Sequence, residues 1–185
     1  MHLLAFHIQP PSPFAHMPGS GKSYTMFGAG DLVAGAQRGL IPRAANSLFE
    51  GLRASDCEEV TIKISFLEVY NEIIRDLLNP GNLKLRIRER PDETVFVEGL
   101  MERYVTSERE ILALIAHGET NRSTGATDMN ATSSRSHSLL MLTVSQKAAD
   151  GSVRIGRLNF ADLAGSEKVR ALLNPYIFLL SLNNL

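Results

Sequence analysis

The sequence predicts an α/β fold, a mixed sheet with helices on both faces, and three observations carry that reading. Apolar residues recur every second position in some stretches and every third or fourth in others, so strands alternate with helices along the chain. Two apolar-rich strands, Ser138–Ser145 and Val153–Ala161, flank a turn at Asp150-Gly151, which adds an antiparallel hairpin. The run Gly19-Ser20-Gly21-Lys22-Ser23 precedes a helix, the place where such sheets hold anions. With 185 residues, 44% hydrophobic and 21% charged, the chain has the make-up of one soluble globular domain able to bury a core.

Taken in order, Met1–Ala15 contains three prolines and offers one short strand at best, Leu3–Ile8. A helix after Lys22 meets a stop at Gly28-Ala29-Gly30, and a glycine- and alanine-rich loop leads to Gly39. The next helix has Pro42 in its first turn and Ala45, Leu48, Phe49 and Leu52 on one face. Val60, Ile62, Ile64 and Phe66 alternate with polar residues as a half-buried strand. Ile73–Leu78 reads as a short helical piece ended by Asn79-Pro80-Gly81. Leu83, Leu85 and Ile87 alternate with Lys84, Arg86 and Arg88, a strand with a basic, solvated face. Val95–Val105 reads as two short strands around Gly99. Ser107-Glu108-Arg109-Glu110 is a capping box for a helix with Ile111, Leu114 and Ile115 inward, expected to end at Gly118.

Composition narrows the function classes. A formal net charge of -1 gives no reason to expect a nucleic-acid surface. The single cysteine, Cys57, excludes an intramolecular disulfide and suits a reducing compartment. The N-terminal residues lack the basic start and cleavage site of a signal peptide. The apolar stretch Ala171–Leu185 is broken by polar residues and falls short of the ~20 residues a membrane span needs.

Three stretches carry chemistry. In the first, the glycines give backbone N–H groups access to phosphate oxygens, Lys22 adds a point charge, and the Ser23 hydroxyl suits the first shell of Mg²⁺. The match to the Walker A pattern is incomplete. His16 stands where a glycine is expected, and Pro18 lacks an N–H that would otherwise face phosphate. In the second, Asn130-Ala131-Thr132-Ser133-Ser134-Arg135-Ser136-His137 gathers four hydroxyls, an amide, a guanidinium and an imidazole; it reads equally as a γ-phosphate and metal site or as a serine-rich surface loop. In the third, Phe160-Ala161-Asp162-Leu163-Ala164-Gly165-Ser166-Glu167 puts an aspartate at the end of an apolar strand, as in Walker B. Asp162 there would hold the metal through water, and the Gly165 N–H would sense the γ-phosphate.

These three stretches, with Gly39-Leu40-Ile41-Pro42-Arg43-Ala44, Glu68-Val69-Tyr70-Asn71-Glu72, Asp76-Leu77-Leu78 and Val97-Glu98-Gly99-Leu100, resemble the motor domain of kinesins over roughly Ser20–Val169. The resemblance implies a P-loop NTPase-type α/β fold, with a mixed, mostly parallel sheet and helices on both faces, truncated at both ends. It divides the chain into a divergent segment at 1–15, a partial motor domain at 16–169 and a divergent tail at 170–185. Implied with it are ATP and Mg²⁺ as cofactors, microtubules as partner, a cytoplasmic and cytoskeletal location, and dimerisation through regions outside these residues. Gly19, Ser20, Gly21, Lys22, Ser23 and Tyr24 would bind nucleotide, and Ser23, Ser134 and Asp162 would sit at the metal. Ser133 would lie near the γ-phosphate, Asn130 would help place the attacking water, Gly165 would act as sensor, and Arg135 with Glu167 would close one switch on the other. Such phosphoryl transfer needs positioning and charge neutralisation more than a strong base.

The family's segment before the phosphate loop is not recognisable here, nor are its relay helix, last core strand and neck linker after Val169. Two readings therefore stand side by side. One is an ATP-dependent microtubule motor represented by the centre of its catalytic domain, with weak turnover in isolation. The other is a non-motor remnant that binds nucleotide or a partner without turnover. A small-molecule kinase or GTPase would leave Ser133-Ser134-Arg135-Ser136-His137 unexplained.

Overall fold

The computed structural model describes residues 21–29, 37–82, 85–92, 95–127 and 136–164. The elements are α1 (Lys22–Phe27), α2 (Leu40–Arg53), β1 (Glu59–Tyr70), β2 (Ile73–Asp76), β3 (Arg86–Glu89), β4 (Val95–Glu98), β5 (Arg103–Val105), α3 (Glu108–Thr127), β6 (His137–Lys147) and β7 (Val153–Asp162). The long strand β1 is the spine of the sheet. It pairs with β6 along nearly its whole length and with β2 and β5 on its other edge, and β7 continues outward from β6.

Register across these strands sorts the side chains. Ile62, Ile64 and Phe66 of β1 lie opposite Val144, Leu142 and Leu140 of β6, and Leu142 and Leu140 lie opposite Leu158 and Phe160 of β7. Because side chains alternate along a strand, this set shares one face, and Ile64, Phe66 and Leu142 have no exposed surface. Met26 and Phe27 of α1, Ile41, Ala45 and Phe49 of α2 and Ile111, Leu112 and Ile115 of α3 pack on that face. The opposite face, with Leu67, Val69 and Leu139, is covered by the β3–β4 hairpin through Val95, Ile87 and Val97.

The chain is thus α/β, with helices layered on a sheet. Every ladder among the described residues is antiparallel, so the mostly parallel order expected from the resemblance is not what these strands show. Nor do the three described helices divide between the faces: all pack into the same core cluster.

Two local expectations are corrected. Ile73–Leu78 is not helical: its first four residues form β2, which folds back on β1 with Tyr70 opposite Ile73. Asn71 and Glu72 between them both have positive φ, 49° and 65°, the two-residue turn whose twist suits a hairpin. Asp76 ends β2 by accepting hydrogen bonds from the Leu78, Asn79 and Met101 N–H groups at 2.9, 3.0 and 2.7 Å, which explains a buried carboxylate at that point.

Secondly, α3 runs through Gly118 to Thr127. Gly118 is a contact and not a stop, since a Cβ there would fall 2.3 Å from Phe66 Cδ1. The start of α3 follows the capping expectation: the Glu110 N–H donates to Ser107 Oγ at 3.3 Å, while Glu110 reaches back to the Thr106 N–H at 2.7 Å. Leu3–Ile8 lies outside the described residues.

Candidate functional site

The face that is apolar along most of the sheet turns polar at one end. Glu68 of β1, Ser138 of β6 and Asp162 of β7 follow one another across three strands, Glu68 opposite Ser138 and Ser138 opposite Asp162. All three are buried, at 4%, 2% and 3% exposure. They continue the Phe66, Leu140 and Phe160 row by one strand repeat, so α3 and α1 must cover polar groups here.

Helix α1 contributes Ser23. Its first turn follows Gly21, whose φ of 82° lies in the left-handed region, and the Thr25 N–H and hydroxyl both close on the Gly21 carbonyl, at 2.7 and 2.9 Å. In that setting Ser23 Oγ donates to Asp162 Oδ2 at 2.6 Å. Helix α1 ends at Gly28, where φ is 94° and a Cβ would meet the Gln37 carbonyl at 2.2 Å, so only glycine permits the return of the chain beside it. Tyr24 is half exposed and its hydroxyl donates to Gln37 Oε1 at 3.0 Å.

Helix α3 contributes Arg122, with a side chain 4% exposed. Its Nη1 donates to Asp162 Oδ2 at 3.4 Å and lies 3.6 Å from Glu119 Oε1. Nη2 donates to the Ser136 carbonyl and hydroxyl at 3.2 and 3.4 Å, and Nε lies 3.6 Å from Glu68 Oε1. Burial raises the Glu119 carboxyl above its usual range, against the opposing pull of Arg122. At the start of β6, His137 Nδ1 accepts from the Ala164 N–H at 3.2 Å. Burial lowers the His137 pKa, the nearby Arg122 cation lowers it further, and Asp162 works against both.

Of the residues expected at the site, the structure brings Ser23 and Asp162 together, with Gly21 and Lys22 in the turn that carries Ser23. Gly19, Ser20, Asn130, Ser133, Ser134, Arg135, Gly165 and Glu167 lie outside the described residues, as do His16 and Pro18. Arg122, Glu68 and Glu119 were missed. Their signal was present, because Arg122 falls on the stripe Ile111, Ile115, Gly118, and Glu68 falls two positions after Phe66. A charged residue on an apolar stripe is a buried charge, which requires partners.

Among the described residues no three His, Cys, Asp or Glu side chains cluster as a metal site. Mg²⁺ does not need such a cage, since it is commonly held by one or two protein oxygens together with phosphates and waters. Asp162 Oδ1 is buried with no hydrogen-bond partner among the described residues, and its sister oxygen already meets the Ser23 hydroxyl. A carboxylate and a hydroxyl in this disposition fit that metal.

A strand-end carboxylate hydrogen-bonded to the first turn of a helix that follows a glycine-rich sequence is the arrangement of α/β proteins of the P-loop class. The family model described as the kinesin motor domain matches residues 17–174, and the chain belongs to that family. It is 49% identical over 157 residues to Kinesin-related protein 5 of Dictyostelium discoideum, across 82% of this chain and 16% of that protein. It is 46% identical over 153 residues to the kinesin heavy chain of Syncephalastrum racemosum, with the same coverage of 82% and 16%. A solved structure described as that of a fast kinesin, with implications for ATPase mechanism and interactions with microtubules, superposes with a TM-score of 0.77 at 43% identity, covering 82% of this chain and 43% of the other. The chain therefore spans about a sixth of the length of these curated relatives.

Proposed function

We propose that this chain is the nucleotide-handling part of an ATP-dependent microtubule motor, coupling ATP hydrolysis to movement along microtubules. The observation that carries the reading is the hydrogen bond from Ser23 to Asp162, with Asp162 Oδ1 left without a partner among the described residues. Family membership supports it, and the printed description of the solved fast kinesin ties that protein to an ATPase mechanism and to microtubules.

In this proposal Gly19–Tyr24 cradle the phosphates, and Ser23, Ser134 and Asp162 face Mg²⁺, which supplies charge neutralisation at the β- and γ-phosphates. Lys22 adds the point charge, Ser133 and Asn130 arrange the γ-phosphate and the water, and Gly165, Arg135 and Glu167 respond to the phosphate. These residues would lie in a motor segment at 16–169 flanked by divergent ends at 1–15 and 170–185. The protein would work on tubulin in the cytoplasm, on the cytoskeleton, and would dimerise through other regions. No helix of the described residues is long and apolar enough to cross a membrane.

The test measures binding of a fluorescent ATP analogue with Mg²⁺, then phosphate release with and without microtubules, for the chain and for Lys22→Ala. The chain is expected to bind nucleotide and to turn it over weakly in isolation with little stimulation by microtubules, and Lys22→Ala to abolish hydrolysis. Binding and hydrolysis equal in the two proteins would remove the phosphate-loop assignment. Binding without any turnover would favour the non-motor reading.

A further inference from the structure

We infer that Arg122 is a positioning residue for metal-dependent nucleotide binding: it holds Asp162 in place beside Ser23 and, through Ser136, ties the start of β6 to the same point. The inference rests on the nucleotide-site reading above and adds a residue that touches neither phosphate nor metal.

The geometry is that of a fork. One terminal nitrogen, Nη1, meets Asp162 Oδ2 at 3.4 Å, the same oxygen that accepts the Ser23 hydroxyl at 2.6 Å. The other, Nη2, meets the Ser136 carbonyl at 3.2 Å and its hydroxyl at 3.4 Å. Nε, on the near side, lies 3.6 Å from Glu68 Oε1, and Glu68 is itself 3.9 Å from Arg75. A planar guanidinium directs its donors in fixed directions, so its two terminal nitrogens hold Asp162 and Ser136 relative to one another, while Glu68 is a charge partner beside Nε and not a hydrogen-bond acceptor from it.

Ser136 and Asp162 belong to segments 26 residues apart in sequence, each directly beside a stretch assigned to phosphate response, and both are nearly fully buried, at 1% and 3% exposure. His137 and Ala164, the next residue and the next but one, carry a second link at 3.2 Å. Moving Arg122 would therefore move the carboxylate that faces the metal and the strand start behind the serine-rich run together. Such outer partners of a metal-facing carboxylate commonly tune metal affinity by about 10- to 100-fold.

A lysine at position 122 keeps the charge and loses the fork. The experiment titrates Mg²⁺ against a fixed concentration of mant-ADP bound to the chain and to Arg122→Lys, and measures mant-ADP affinity in EDTA. The expected result is about a tenfold rise in the Mg²⁺ concentration at half-effect for Arg122→Lys, with affinity in EDTA changed less than about twofold. Equal losses with and without Mg²⁺, or no change in a folded variant, would overturn the inference. Circular dichroism monitors folding. If Arg122→Lys does not fold, Glu68→Gln decides: it leaves the guanidinium in place, loosens its Nε side, and should give a smaller loss confined to the Mg²⁺ titration; an unchanged titration would overturn the inference. If the unsubstituted chain binds no mant-ADP in either condition, the nucleotide-site reading itself fails and takes this one with it.

Discussion

Ser23 and Asp162 stand 139 positions apart in sequence, and a 2.6 Å hydrogen bond joins them. The serine sits in the first turn of a six-residue helix, too short to be stable alone, and the aspartate ends a ten-residue strand at the outer side of the described sheet. Their contact fastens one to the other where the apolar core ends. Ser23→Ala should lower the stability of the ligand-free chain by about 1.5–3 kcal/mol, the usual net worth of a hydrogen bond to a charged group. Urea unfolding followed by circular dichroism measures this, and a variant as stable as the parent would mean that the contact contributes nothing to the fold.

Gly118 supports a second prediction. A Cβ at this position would lie 2.3 Å from one ring carbon of Phe66 and 2.7 Å from another, and Phe66 is fully buried. Gly118→Ala gains about 1 kcal/mol of helix propensity but forces the ring or α3 to move, at a typical overpacking cost of ~1–3 kcal/mol. The net effect should be destabilising and visible as a lower thermal midpoint. A higher midpoint would show that the helix and sheet accommodate the methyl group without strain.

His137 sets a third. Its folded pKa lies below the usual value of 6.5 because of burial first and Arg122 second, so the folded chain binds the proton less tightly than the unfolded chain. The contribution of neutral His137 is present above about pH 6.5 and is lost as pH falls below it. Protonating Nδ1 would also remove the acceptor for the Ala164 N–H. Unfolding free energy measured from pH 8 to pH 5 should fall more steeply for the parent than for His137→Asn, whose side-chain oxygen keeps an acceptor without titrating. Parallel curves would remove His137 from the pH dependence.

The fold was legible where one periodicity ran without interruption. Helix α2 and strands β1, β6 and β7 appear where their spacing put them, although β1 from Ile64 to Val69 and the start of β6 are buried on both faces and not half-buried. Misreadings arose where a residue type has two physical uses. Gly118 reads as a helix stop but serves a close approach to Phe66, and Asn71-Glu72 reverses the chain without the glycine that usually marks such a turn. The site divides in the same way. Ser23 and Asp162 lie in motifs with a stated chemistry and meet, whereas Arg122 lies in no quoted motif and Glu68 in one read only for its resemblance, and both show themselves as charges on apolar stripes. Asn130, Ser133, Ser134, Arg135, Gly165 and Glu167 fall outside the described residues.

The most direct test of the account is a double-mutant cycle on Mg·ATP affinity with Ser23→Ala, Asp162→Asn and the combined variant. If the hydroxyl and the carboxylate form one metal-facing unit, each single change removes most of the benefit and the double change adds little. The coupling should then exceed about 1 kcal/mol. Strictly additive losses, or affinities unchanged by all three variants, would contradict the claim that Ser23 and Asp162 together build the nucleotide site.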